Sequence, residues 1–177
     1  MRKLSQLFKF FISYIFLFFF ILGYTQQEPY LFVNSSVEMG NRPITTMVKD
    51  RNSFLWVGTY GGGLKKFDGI EVKTYRHNIY DETALASSII HDLMIDDAGN
   101  LWVGSNDGLH LYSSEKDNFL RFLNNFQGKP IKVHAIEPLD NDNILVGTHQ
   151  SGLFVINSST NSISEIKLSS NIEKNNF

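Results

Sequence analysis

One phrase recurs three times along this chain, as Phe54-Leu55-Trp56-Val57-Gly58-Thr59, Asn100-Leu101-Trp102-Val103-Gly104-Ser105 and Asn143-Ile144-Leu145-Val146-Gly147-Thr148. The glycines Gly58, Gly104 and Gly147 stand 46 and 43 residues apart, and Gly-Leu pairs follow each at Gly63-Leu64, Gly108-Leu109 and Gly152-Leu153. A period in the forties with strand-like content is the signature of propeller blades.

The stretch upstream of each phrase repeats in the same register: Ile44-Thr45-Thr46-Met47-Val48-Lys49-Asp50, Ile90-His91-Asp92-Leu93-Met94-Ile95-Asp96 and Val133-His134-Ala135-Ile136-Glu137-Pro138-Leu139. Each unit therefore reads as four short strands, a to d. In the first unit they are the Ile44 segment, the Trp56 segment, Leu64-Lys65-Lys66-Phe67 and Val72-Lys73-Thr74-Tyr75. Strands a and b are apolar on both alternating sets of side chains, which predicts inner strands covered on each face by a neighbouring blade. Strand d alternates charge with β-formers, as expected near a rim. The a–b connections Asp50-Arg51-Asn52-Ser53, Asp96-Asp97-Ala98-Gly99-Asn100 and Asp140-Asn141-Asp142-Asn143 carry turn chemistry. None has the spacing and distal glutamate of a calcium loop, so no metal is predicted.

The pattern of an Ile-rich strand, Asp, a small turn, Leu-Trp-Val-Gly-Thr, a Gly-Leu pair and an aromatic-Asp (Phe67-Asp68-Gly69) resembles the two-component regulator propeller repeat of bacterial periplasmic sensor proteins. The resemblance runs from about Leu31 to Ile166, and the third unit departs from it by placing Leu145 where Trp would stand. It implies an all-β chain of about three four-stranded antiparallel blades, an incomplete ring. It implies a ligand-sensing role in two-component signal transduction with no chemistry of its own, the histidine kinase activity belonging to a longer parent.

The amino end has its own logic. Arg2, Lys3 and Lys9 precede an apolar run from Phe10 to Leu22, and Gly23-Tyr24-Thr25-Gln26 returns to small and polar residues. Thirteen residues fall short of the ~20 that a membrane span needs, and the layout matches a secretory signal. The expected organisation is a signal peptide or uncleaved anchor over 1–26, a lead-in over 27–43 that could supply a ring-closing strand, blades over 44–88, 89–131 and 132–168, and a truncated tail over 169–177. The expected location is exported: periplasmic, or membrane-attached through a C-terminal part of the parent. Because propellers close with about 4 to 8 blades, the chain reads as a fragment of a longer sensor.

Composition narrows the partners. Losing the signal segment removes three basic residues and no acidic one from a formal net charge of −2, leaving −5. No Lys/Arg stripe follows, so nucleic acid is not an expected partner. The chain has no cysteine, which excludes disulfides and thiolate metal sites. Gly61-Gly62-Gly63 joins two strands and opens no helix, so it reads as a b–c turn and not as a phosphate loop. No nucleophile elbow or zinc-protease motif appears, and no catalytic residue or cofactor is predicted. Asp97-x-Gly99-x-x-Trp102 resembles the Asp-box turn of sialidase propellers, but the other units lack the matching glycine.

Topology places a ligand. In an antiparallel blade the b–c turns and the d–a crossovers share one face. That face collects Tyr60, Asn106, Asp107, His149 and Gln150 from turns, His77, Asn78, Tyr80 and Asp81 from the first crossover, and Asn124, Asn125 and Gln127 from the second. Aromatic planes mixed with amides and carboxylates suit an extracellular oligosaccharide or another small nutrient. His91 and His134 occupy equivalent strand a positions, with Thr45 in the first unit, and read as tolerated polar positions lining a central channel. Trp56, Gly58, Gly63, Trp102, Gly104, Gly108, Leu145, Gly147 and Gly152 are the structural positions of the repeat. The rival readings are a propeller enzyme acting on polysaccharide, and an interaction module that completes its ring with further blades or a second copy.

Overall fold

A computed structural model of the chain describes residue 15, residues 40–140 and residues 142–167. The signal segment apart from Ile15, most of the lead-in and the tail at 169–177 lie outside the described residues. Among those described, residues 40–167 contain strands and turns and no helix, and no helix is long and apolar enough to cross a membrane.

Three four-stranded antiparallel sheets follow one another, each in simple sequential order and none closed into a barrel. The first holds β1 (Ile44–Lys49), β2 (Leu55–Thr59), β3 (Leu64–Phe67) and β4 (Val72–Tyr75). The second holds β5 (Ile90–Ile95), β6 (Leu101–Ser105), β7 (Gly108–Ser113) and β8 (Asn118–Leu123). A hairpin of β9 (Asn125–Phe126) and β10 (Lys129–Pro130) precedes the third sheet, which comprises β11 (Val133–Pro138), β12 (Asn143–Thr148), β13 (Leu153–Asn157) and β14 (Ser162–Ile166). The fold is that of incomplete propeller blades. The β9–β10 hairpin was not foreseen: its turn needs positive φ at two successive residues, and Gln127 (φ 52°) takes the position where Asn would have signalled it, ahead of Gly128 (φ 78°).

Packing explains the repeated phrase. Because side chains alternate across a strand, Leu101 and Val103 join the core against the first sheet, with Trp56, Leu64, Leu85, Ile90, Leu93 and Phe119. Trp102 points the other way, into a second core with Ile131, Val133, Ile136, Ile144, Val146, Phe154 and Ile156. The glycines permit this approach. A Cβ on Gly58 would lie 2.8 Å from Ile90 Cγ2, and one on Gly104 would lie 2.8 Å from Val133 Cγ1, so each glycine receives a β-branched side chain of the next sheet.

Each tryptophan is also held by its own a–b turn. The indole N–H of Trp56 donates to Asp50 Oδ2 at 2.8 Å and that of Trp102 to Asp96 Oδ2 at 2.9 Å. Both aspartates also accept a backbone N–H, from Phe54 and Asn100. These carboxylates are occupied by the fold, and among the described residues no group of three or more His, Cys, Asp or Glu could hold a metal. In the third unit Leu139 stands where the acceptor would be and Leu145 where the indole would be, so donor and acceptor are lost together.

Candidate functional site

The first strand of every sheet carries the same irregularity. Register shifts between Ile44 and Thr46, between Ile90 and Asp92, and between Val133 and Ala135, which leaves Thr45, His91 and His134 as the bulged residues. A bulge re-aims the side chain at the extra position and bends the strand locally. Here the two imidazoles stack, with ring centroids 4.1 Å apart and planes inclined by 19°.

The b–c turns bring the next partners. Tyr60, Asn106 and His149 each donate a backbone N–H to the residue just before a first strand or its lead-in, at the carbonyls of Pro43, Ile89 and Lys132. The turn residue is thereby laid beside the bulge of its own sheet. Asn106 Oδ1 lies 3.3 Å from His91 Nε2. His149 stacks on His134 at 5.3 Å with an inclination of 26°. Three imidazoles and one amide, from four separate segments, thus form a continuous row at the inner edge of the b–c turn face. Burial holds the His134 pKa below the ordinary imidazole value, and so do the charges of His91, His149 and Lys132.

The other expected face residues divide. His77 is tied into the first crossover: its N–H donates to Ser88 Oγ at 3.0 Å and its Nδ1 lies 3.1 Å from the Leu85 carbonyl. Asn78 Oδ1 accepts the Tyr80 N–H, and Asp81 Oδ1 accepts both the N–H and the hydroxyl of Thr83. Those groups order the crossover, while the Tyr80 ring stands 92% exposed. Asn125 Oδ1 accepts the Gly128 N–H inside the unforeseen hairpin. Asp107 and Gln150 are exposed in their turns, and Gln150 has a positive φ of 69°. Gly61-Gly62-Gly63 is a tight turn: Thr59 Oγ1 donates to the Gly63 carbonyl at 2.7 Å, and a Cβ on Gly63 would fall 2.1 Å from the Tyr75 carbonyl oxygen.

Two features away from this face escaped sequence reasoning. Asp117, at a positive φ of 54°, accepts from Lys73, from the Tyr75 hydroxyl and from the Tyr112 hydroxyl at 2.7 Å. Burial raises its pKa, but those bonds outweigh it and hold the carboxyl at about 2, while the Tyr75 hydroxyl is pushed up by burial and by Asp117. This node ties the outer strands of the first two sheets together. His110 is completely buried in β7, and its Nε2 accepts the Ala86 N–H at 3.0 Å. Burial, together with the Arg121 charge, lowers its pKa to about 4. Only tertiary contacts reveal either residue, because Asp117 lies in a polar stretch that reads as an ordinary turn and His110 sits between Leu109 and Leu111 in what reads as an ordinary strand.

The two component regulator propeller family matches residues 38–61 and 84–107, which are the first strand, its turn and the Trp-bearing strand of the first two sheets. Those two segments match the repeat of that family. The phrase repeated within them is a packing device, a glycine slot beside a turn-anchored indole.

Among solved structures, the extracellular domain of BT4673 from B. thetaiotaomicron, assigned in one structure to a hybrid two component system, superposes with a TM-score of 0.57 at 20% identity over 68% of this chain and 17% of that one. A second structure of that domain, assigned to a one component system, gives 0.56 at 19% over 67% and 17%. The extracellular domain of BT3049 from the same organism, also assigned to a hybrid two component system, gives 0.48 at 14% over 72% and 25%. The chain therefore spans from about a sixth to a quarter of the length of these structures, and the likeness to the BT4673 domain is one of fold. No curated protein matches the chain.

Proposed function

We propose that the chain is an extracytoplasmic ligand-sensing segment of a two-component sensor, that it binds a carbohydrate on the face of its b–c turns, and that it performs no catalysis itself. The observation that carries this reading is the row of His91, His134, His149 and Asn106, an open polar surface assembled by the second and third repeats at one inner edge. The repeat family and the extracellular domains it resembles in fold support the sensor role. Export is proposed from the basic and apolar amino end.

Binding would signal by favouring one packing of the sensor over another, since a ligand shifts an equilibrium only by its differential affinity for two states. The test is a glycan array probed with the purified full chain, followed by calorimetry on any hit. Saturable binding of an oligosaccharide, lost on Asn106→Ala and unaccompanied by cleavage, is the expected result. Release of shortened product would overturn the non-catalytic reading, and no retained glycan would overturn the carbohydrate reading.

A specific observation favours a second role as an interaction module. Ile44 and Met47, which share one face of the first sheet across its bulge, are 55% and 65% exposed. Apolar sheet faces of this kind are covered in a propeller by further blades. A compact dimer or trimer in sedimentation would support completion of a ring between copies.

A further inference from the structure

We propose that the stacked His91, His134 and His149 form an oxyanion-binding site, which takes a carboxylate or sulfate group of the ligand and binds it more tightly as pH falls. This names a ligand class for the face of the proposed function. It relies on that reading for the ligand being a saccharide, and not for the anion.

The arrangement is unlike a packed core. His134 and His149 are exposed, and among the described residues no hydrogen bond engages their imidazoles. The rings nevertheless stack with their neighbours because two bulges and one turn bring them together. Every group whose charge acts on His134 is basic: His91 from β5, His149 from the b–c turn and Lys132 from the segment ahead of β11. Acids nearby in sequence do not offset this. Asp92, next to His91, accepts at Oδ1 from Thr46 Oγ1 and the Leu93 N–H, and at Oδ2 from the Ile136 N–H at 2.8 Å. Asp107, beside Asn106, is exposed in its own turn.

Adjacent imidazolium ions without a counter-ion repel, and every charge acting on His134 disfavours protonating it in an empty row. An oxyanion placed against it reverses the balance by accepting charge-assisted hydrogen bonds from protonated rings. Binding then takes up a proton. Linkage makes the affinity rise by up to about tenfold per pH unit, per proton taken up, as pH falls through the interval between the bound-state and empty-state imidazole pKa values, and level off below it.

The experiment follows the ring C–H resonances of all five histidines in the full chain during titration with sodium sulfate at pH 5.5 and 7.5, ionic strength being held with chloride. Saturable shifts confined to His91, His134 and His149, at least tenfold tighter at pH 5.5, are expected. Digalacturonate should repeat them and galactobiose should not. Equal drift of His77 and His110, no saturation, or affinity independent of pH would overturn the proposal. His134→Gln, which removes the central ring of the row, should reduce the pH dependence, and the unmodified chain alone decides the matter if that variant does not fold. Galactobiose binding without sulfate binding would refute the anion site and leave the sugar reading standing. Sulfate binding without any saccharide would support the site and count against the sugar.

Discussion

The middle sheet and the two flanking sheets are built from one repeat yet are buried to different depths. At equivalent positions on the first strand, Ile44 is 55% exposed while Ile90 and Val133 are fully buried, and Met47 is 65% exposed against 7% for Leu93 and 2% for Ile136. Every residue of β6 is buried, whereas β12 alternates between buried and half-buried. The expectation of first strands covered on both faces therefore holds fully only for the middle sheet. Covering is supplied by a neighbouring sheet, and each flanking sheet has one such neighbour among the described residues.

The sharpest break of this comparison is a pair of truncations. Ile90→Ala should cost about 2–5 kcal/mol, since it empties a packed slot over Gly58, whereas Ile44→Ala should stay within about 0.5 kcal/mol. Urea unfolding of both variants measures the difference, and equal losses would mean that the first sheet is covered in solution.

The next effect concerns one position of the third strand, which holds Lys65, His110 and Phe154 in the three sheets. Lys65 reaches Thr74 Oγ1 at 3.3 Å, while His110 has no path to water. Because the folded pKa of His110 is about 4, below the ordinary 6.5, the unfolded chain takes the proton first. The neutral ring therefore favours folding above pH 6.5, and that contribution is lost as pH falls from 6.5 to about 4. At ~1.4 kcal/mol per pKa unit the loss amounts to about 3 kcal/mol. His110→Gln, which can still accept the Ala86 N–H, should flatten stability across that window, as read from urea midpoints at successive pH values. An unchanged slope would remove His110 from the account.

The smallest effect is the most pointed. A Cβ on Gly104 would press Val133 and Ile136 at 2.8 and 3.2 Å, but one on Gly147 would meet nothing nearer than Ala135 at 3.5 Å. Gly104→Ala should therefore destabilise by about 1–3 kcal/mol and Gly147→Ala should be near neutral. If thermal melts show Gly147→Ala to be as harmful as Gly104→Ala, another side chain already sits over the third sheet.

Much of the fold was legible because a repeat reports its own register. The Trp-bearing phrases, the Gly-Leu pairs and the Asp-rich turns each fell where the strands and turns are. The β9–β10 hairpin was not legible, since Gln127 is a weak signal for a positive φ. The candidate site was legible in part. Asn106 and His149 were placed on the ligand face and His91 and His134 on the inner strands, but as separate features. Nothing in residue spacing announced the bulges that join them. Nor did it show that His77, Asn78 and Asp81 would spend their polar groups on the crossover.

Residue pattern alone dictates that strands recur in fours and which turn follows which, because strand alternation, turn chemistry and repeat length are local properties. Which copies of the repeat are buried, which glycines are indispensable and which histidines touch follow from how the sheets pack. Burial depends on the neighbouring sheet, and the imidazole row depends on a one-residue register shift repeated in adjacent strands, neither of which is encoded within a single unit.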